Sequence, residues 1–134
     1  NLDSDKKVDL KGLEFLNLYY SPVINNGEIG RPVLFSENLK SDYHIGAVTF
    51  SPDYKTMYYT KVIKLPNEQT ALKIFKAEYK SGMWRQIGPL PFSSDLYNCA
   101  HPALSITGDT LYFVSDKPGG KGGKDIYFSK ITKS

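Results

Sequence analysis

The chain has 134 residues, with 17 Lys+Arg against 14 Asp+Glu and a formal net charge of +3. That length suits one domain with a real core, and so mild a basic excess excludes the concentrated positive stripe of a nucleic-acid binder. Hydrophobic residues make 40% and charged residues 23%, which argues against disorder, and no apolar run approaches the roughly 20 residues that span a bilayer. The chain opens Asn1-Leu2-Asp3-Ser4 with no initiator Met and no leader, so it reads as a processed chain or a fragment. A single cysteine, Cys99, excludes an internal disulfide framework and a cysteine-based zinc cluster.

Ten Tyr, seven Phe and one Trp, with 11 Gly and 8 Pro as punctuation, point to a β-rich domain. In chain order, Leu16-Asn17-Leu18-Tyr19-Tyr20-Ser21 reads as a strand, Asn25-Asn26-Gly27 as a turn, and residues 31–35 as a second strand. Residues 47–60 form a strand, a turn at Ser51-Pro52-Asp53-Tyr54 and another strand. Leu72-Lys73-Ile74-Phe75-Lys76-Ala77 lies in a window rich in helix formers, but it shares the apolar-aromatic pattern of the first strand and is assigned as a strand. A turn at Ser81-Gly82 leads to residues 84–87. Residues 101–114 repeat the hairpin at an offset of 54, so that Ser51 meets Ser105, Met57 meets Leu111, and Tyr58-Tyr59 meets Tyr112-Phe113. Asp125-Ile126-Tyr127-Phe128-Ser129-Lys130 shares the apolar-aromatic pattern of the strands at 16–21 and 72–77 and closes the series.

The predicted organisation is therefore two strands, then four, then three. Strands lettered A to D run C-D, A-B-C-D, A-B-C. The expected fold is all-β: a partial β-propeller of antiparallel four-stranded blades, about two to three blades in this chain. Residues 1–40 form the end of a first blade, 41–94 a complete second blade and 95–134 most of a third. The extra spacing over a common blade is placed in loops such as 63–70. Too few blades are present to close a ring, and the last blade is expected to leave an apolar face and strand edges open to missing blades or another copy.

The run His101-Pro102-Ala103-Leu104-Ser105, then Leu111-Tyr112-Phe113-Val114-Ser115-Asp116, then Lys117-Pro118-Gly119-Gly120-Lys121-Gly122-Gly123-Lys124-Asp125-Ile126-Tyr127 resembles the TolB-like (WD-like) β-propeller repeat. It is most similar to the version in Bacteroidetes envelope proteins of the OmpA-like, peptidoglycan-associated type, one branch of which serves type IX secretion. Tyr43-His44, Pro89-Leu90-Pro91-Phe92 and Tyr97 fit the same subfamily. The repeat usually carries Ser-Pro-Asp-Gly at the A–B turn, and here each copy keeps half of it: Tyr54 replaces Gly in one, Ile106-Thr107 replaces Pro-Asp in the other. The resemblance implies a non-catalytic scaffold module in the periplasm, associated with the outer membrane. Its implied partners are envelope or secretion proteins, with peptidoglycan reached through a domain outside this chain. Neither nucleic acid nor a cofactor is expected. The alternatives are the propeller portion of a prolyl-oligopeptidase-like hydrolase, which would still hold no catalytic residue here, or a stand-alone glycan- or peptide-binding propeller.

The chemistry-bearing residues fit structural roles. The glycine- and lysine-rich stretch 116–125 lacks the Walker spacing, because Pro118 stands at the first Gly position and Asp125 where Ser/Thr belongs, and it leads into a strand. It is expected to be a hairpin loop across which Asp116 and Asp125 accept backbone hydrogen bonds. Asp116, Lys121, Lys124 and Asp125 are its candidate binding residues, and two aspartates alone are too few ligands for calcium. His44 and His101 are expected to bond backbone rather than pair on a metal. Cys99 is expected to be a buried thiol and no nucleophile for His101, and Ser51 and Ser105 to serve turns. The pairs Tyr19-Tyr20, Tyr58-Tyr59 and Tyr112-Phe113 are expected as core on both faces of their sheets. The lysines at 117, 121, 124, 130 and 133 read as a solvated basic stretch.

Overall fold

The computed structural model describes residues 15–132. Among these residues nine strands form three antiparallel sheets. The first pairs β1 (Tyr19–Tyr20) with β2 (Val33–Leu34). The second orders β3 (Ile45–Phe50), β4 (Thr56–Lys64), β5 (Thr70–Lys80) and β6 (Met83–Pro89), and the third orders β7 (Cys99–Leu104), β8 (Thr110–Ser115) and β9 (Asp125–Lys130). The division into two, four and three strands is the one expected, and the helix-forming window around Phe75 is indeed a strand. Among the described residues the three sheets do not close into a ring. The extra length of the second unit lies in its strands rather than in loop 63–70: β4 and β5 run for 9 and 11 residues and leave only Leu65 to Gln69 between them.

Because side chains alternate across a strand, the second sheet has two apolar faces, and each meets a neighbour. On one face Met57, Tyr59, Phe75 and Ala77 join Ile45 and Leu39, with Leu18 and Phe35 of the first unit packed against them. On the other, Tyr58 and Ile74 meet Cys99, Leu111 and Phe113 of the third sheet. Ile45, Met57 and Tyr59 become Cys99, Leu111 and Phe113 when 54 is added to each number, so one core is built twice in succession. Strand β7 lies across β3, β4 and β5.

The two A–B hairpins share their turn. Ser51 N–H donates to Thr56 O and Tyr54 N–H to Ser51 O, both at 2.8 Å. In the second copy Ser105 N–H donates to Thr110 O at 2.8 Å and Gly108 N–H to Ser105 O at 2.9 Å. Tyr54 and Gly108 both take positive φ, 56° and 75°. The half-kept motifs thus give one backbone, with the strain of a left-handed non-glycine falling on Tyr54.

Each A strand also bulges at the same repeat position. The β3–β4 register shifts between Gly46 and Val48, and the β7–β8 register between Ala100 and Ala103. Ala47 and His101, 54 apart, carry positive φ of 39° and 55°.

The pairing with the B strands sets which residues of the C strands are equivalent. Tyr58 pairs with Lys76 and Tyr112 with Phe128, so Phe128 matches Lys76 and Tyr127 matches Phe75. The aromatic pairs are not all core, contrary to the expectation from sequence. Tyr58 and Tyr59 are core, but Tyr112 is 45% exposed, and Tyr19 and Tyr20 are half-exposed on the first sheet. No further sheet among the described residues covers the Tyr112 face; Tyr19 and Tyr20 point to opposite faces of a two-residue strand, and Tyr20 reaches only the Phe35 ring, at 6.5 Å.

Candidate functional site

The candidate loop residues fall at the head of the third sheet. A recess of about 110 Å³ opens there, lined by Leu72, Asn98, His101, Ser115, Asp116 and Lys124 among others. Asp116 follows β8, Lys124 precedes β9 and Asn98 precedes β7, so three strand ends meet at one rim. Of the four candidates, Asp116 and Lys124 line the recess, whereas Lys121 and Asp125 do not.

Asp116 is committed to a structural bond, and not to the loop as expected. Its Oδ1 accepts the Asn98 backbone N–H at 2.6 Å and its Oδ2 the Asn98 Nδ2–H at 2.8 Å. These bonds, the side-chain amide first, hold the Asp116 carboxyl below the usual carboxylate range. Asn98 Oδ1 in turn accepts the Leu72 N–H at 2.9 Å, and Ser115 Oγ–H donates to Asn98 O at 2.6 Å. Asn98 therefore stitches β5 of the second sheet to β8 of the third. The same stitch occurs one repeat earlier: Leu16 N–H donates to His44 Nδ1 at 3.1 Å, and His44 lies 54 residues before Asn98. His44 is a backbone-bonding histidine, as the sequence suggested.

Asp125 does accept within the loop, from Gly122 N–H at 3.1 Å. The loop folds tightly over β9. A side chain at Gly120 would collide with the Asp125 carboxylate and the Tyr127 hydroxyl, and Lys117 Nζ stands 5.2 Å from the centre of the Tyr127 ring. Lys121 and Lys124 stand exposed on it.

Cys99 and His101 do not form a nucleophile and base. The bulge separates them: Cys99 is fully buried with Sγ 3.5 Å from Ser115 Oγ, and His101 is exposed. Burial pushes the Cys99 thiol up, away from the reactive thiolate. His101 instead serves through its backbone, which the bulge frees to donate N–H to Thr60 Oγ1 at 2.9 Å. Leu104 N–H donates likewise to Thr49 Oγ1 at 3.1 Å. Among the described residues no three His, Cys, Asp or Glu side chains gather at metal-binding positions. Ser51 and Ser105 serve their turns, each Oγ accepting a backbone N–H, from Thr56 at 2.9 Å and Thr110 at 3.1 Å.

Asn98, Thr49 and Thr60 were not singled out from sequence. The one available signal was that Asn98 falls on His44 at the repeat offset. A recess of about 110 Å³ is well below the roughly 300–1,000 Å³ of small-ligand pockets. What the third sheet offers in quantity is surface: Ile126 and Phe128 are 77% and 65% exposed, beside Tyr112. No family model and no curated protein sequence matches the chain.

Proposed function

We propose that the chain is part of a non-catalytic β-propeller interaction module of the TolB-like kind, each sheet being one blade, complete or partial. The recurring core carries this reading: the same three positions, 54 residues apart, fill two successive seams between sheets. Face-to-face packing of antiparallel sheets with one repeated contact is what a propeller needs, and the half-motifs at both A–B turns support the same family. The strands supply rigidity and the blade ends present loops, so the module binds and spaces other proteins. On the family resemblance it works in the periplasm at the outer membrane, as a scaffold for envelope or secretion proteins.

Small-angle scattering of the longest natural polypeptide containing these residues tests the fold part. A disc with an axial channel is expected, and an extended stack would refute it. A photo-crosslinker at Lys124 in intact cells tests the setting. Capture of an outer-membrane or secretion component is expected, and capture confined to cytosolic proteins would overturn it.

A further inference from the structure

The two seams between sheets are closed by the same kind of bond from different residue types. At the second seam Asn98 Oδ1 accepts the Leu72 N–H at 2.9 Å. A carboxamide offers that acceptor whatever the pH. Its partner Asp116 is held below the usual carboxylate range by the bonds from Asn98, so it keeps its charge in neutral and mildly acid solution. At the first seam the acceptor is a histidine: His44 Nδ1 takes the Leu16 N–H at 3.1 Å. A ring nitrogen accepts only in the neutral form, with the proton on the other nitrogen, whereas histidinium has two donors and no acceptor.

Leu16 sits where the first unit is tied to the second sheet. Its O accepts the Ile45 N–H at 2.8 Å, and Asn17 Oδ1 accepts the Ser41 N–H at 3.0 Å. Leu18 O accepts the Phe35 N–H at 2.9 Å, and both side chains pack on the core of the second sheet, the Phe35 ring 5.5 Å from that of Trp84. His44 is half-buried. The Phe15 ring stands 5.0 Å from it and near perpendicular, and on its other side Val62 N–H of β4 donates to His44 O at 2.9 Å. The charged and titratable groups of the elements packed on it are Asp42 and Tyr43 on its own segment and Lys61 and Lys64 on β4. Lys61 lies within electrostatic reach of Asp42, and Lys64 within reach of Tyr43 and bonded to Glu68. Residues 15–18 bring an aromatic ring and no charge.

We propose that His44 is a pH-sensitive latch: uptake of a proton turns its Nδ1 from acceptor to donor, sets it against the Leu16 N–H and loosens the first unit from the second sheet. The contact is present while the ring is neutral. It is lost as pH falls through the range in which histidines protonate, about pH 8 to 5. The second seam carries Asn98 at this position, 54 residues on, and keeps its contact across the same range. Two seams built on one repeat thus differ in their response to acid. This goes beyond the propeller reading, since it concerns one contact between described elements and holds whether or not the sheets close a ring.

The longest natural polypeptide containing these residues is followed by NMR from about pH 8 to about pH 5. Amide protection, corrected for the intrinsic pH dependence of exchange, is expected to fall about tenfold at Leu16 and to stay level at Leu72. The ring nitrogen shifts of His44 are expected to place its neutral proton on Nε2. Nuclear Overhauser effects between the Phe35 and Trp84 rings are expected to weaken along with the Leu16 protection. His44→Asn, which copies the second seam, is expected to abolish the pH dependence at Leu16. His44→Ala is expected to leave Leu16 about tenfold less protected at either pH. His101→Gln, which removes the other histidine of the chain, is expected to keep the response, because His101 bonds through its backbone. Near-UV circular dichroism at neutral pH establishes that the variants are folded. Level Leu16 protection in the natural polypeptide, a neutral proton on Nδ1, or a fall that persists in His44→Asn overturns the proposal. A parallel loss at Leu72 would show general acid unfolding and also overturns it. Release of Leu16 with the Phe35–Trp84 contact unchanged overturns the loosening of the first unit.

Discussion

The second and third sheets start from the same hairpin and differ in what covers them. In the second, Tyr58 and Tyr59 are both buried, because a sheet lies on each face. In the third, Phe113 is buried against the second sheet while its neighbour Tyr112 is half-exposed. The local pattern is one thing, and burial is decided by the neighbours. The covered face of the second sheet also carries Thr49 and Thr60, which accept the N–H groups of the next A strand, whereas Ala103 and Val114 stand at those positions in the third. The open face is thus a more apolar version of the covered one.

The largest effect separates the two tyrosines. Tyr59→Ala is expected to cost about 3–5 kcal/mol in urea unfolding, and Tyr112→Ala only about 0.5 kcal/mol. Equal costs would break the comparison and mean that the outer face is covered in solution. The next effect tests the stitch across the seam. Thr60→Val leaves the His101 N–H without its acceptor and is expected to cost about 1–3 kcal/mol, while Val114→Thr, facing the open side, is expected to be near neutral.

The turns give a smaller, opposed pair. Tyr54→Gly relieves a left-handed residue and is expected to stabilise by about 1 kcal/mol in thermal unfolding. Gly108→Ala is expected to destabilise by about 1–2 kcal/mol, since its Cβ would meet positive φ and stand 2.8 Å from Pro52 Cδ. If both changes had the same sign, the turns would not share one backbone.

The smallest effect lies in acid. The hydroxyls of Thr107, Thr110 and Ser105, in that order, hold Asp109 at about 2, while Asp53 is lowered by Ser51 first and the Lys55 N–H second. An aspartate depressed in the folded state contributes stability that is present above its unfolded value, about 3.9, and is lost as pH falls toward about 2. Asp109→Asn is therefore expected to flatten the pH dependence of the melting temperature between about pH 4 and pH 2. An unchanged slope would mean that the hydroxyl cage does not persist in solution.

Much of the fold was legible because strands announce themselves locally. Alternation, aromatic pairs and turn residues placed all nine strands, and the offset of 54 placed the two hairpins. The pattern of mixed aromatics and lysines shared by the C strands does not say which side is inward. Only the pairing of Tyr112 with Phe128 does. The site was legible only in part. The loop 116–125 stood out by composition, but Asp116 turned out to serve Asn98, 18 residues earlier in the chain.

The amino-acid sequence by itself determined the strands, their grouping and the repeat, since each depends on contacts within a few residues. The tertiary structure alone decided which face of each strand is core and that Asn98, Thr49 and Thr60 join the sheets. Those outcomes depend on what a neighbouring sheet presents, and no short-range pattern encodes a surface formed by residues about 50 positions away.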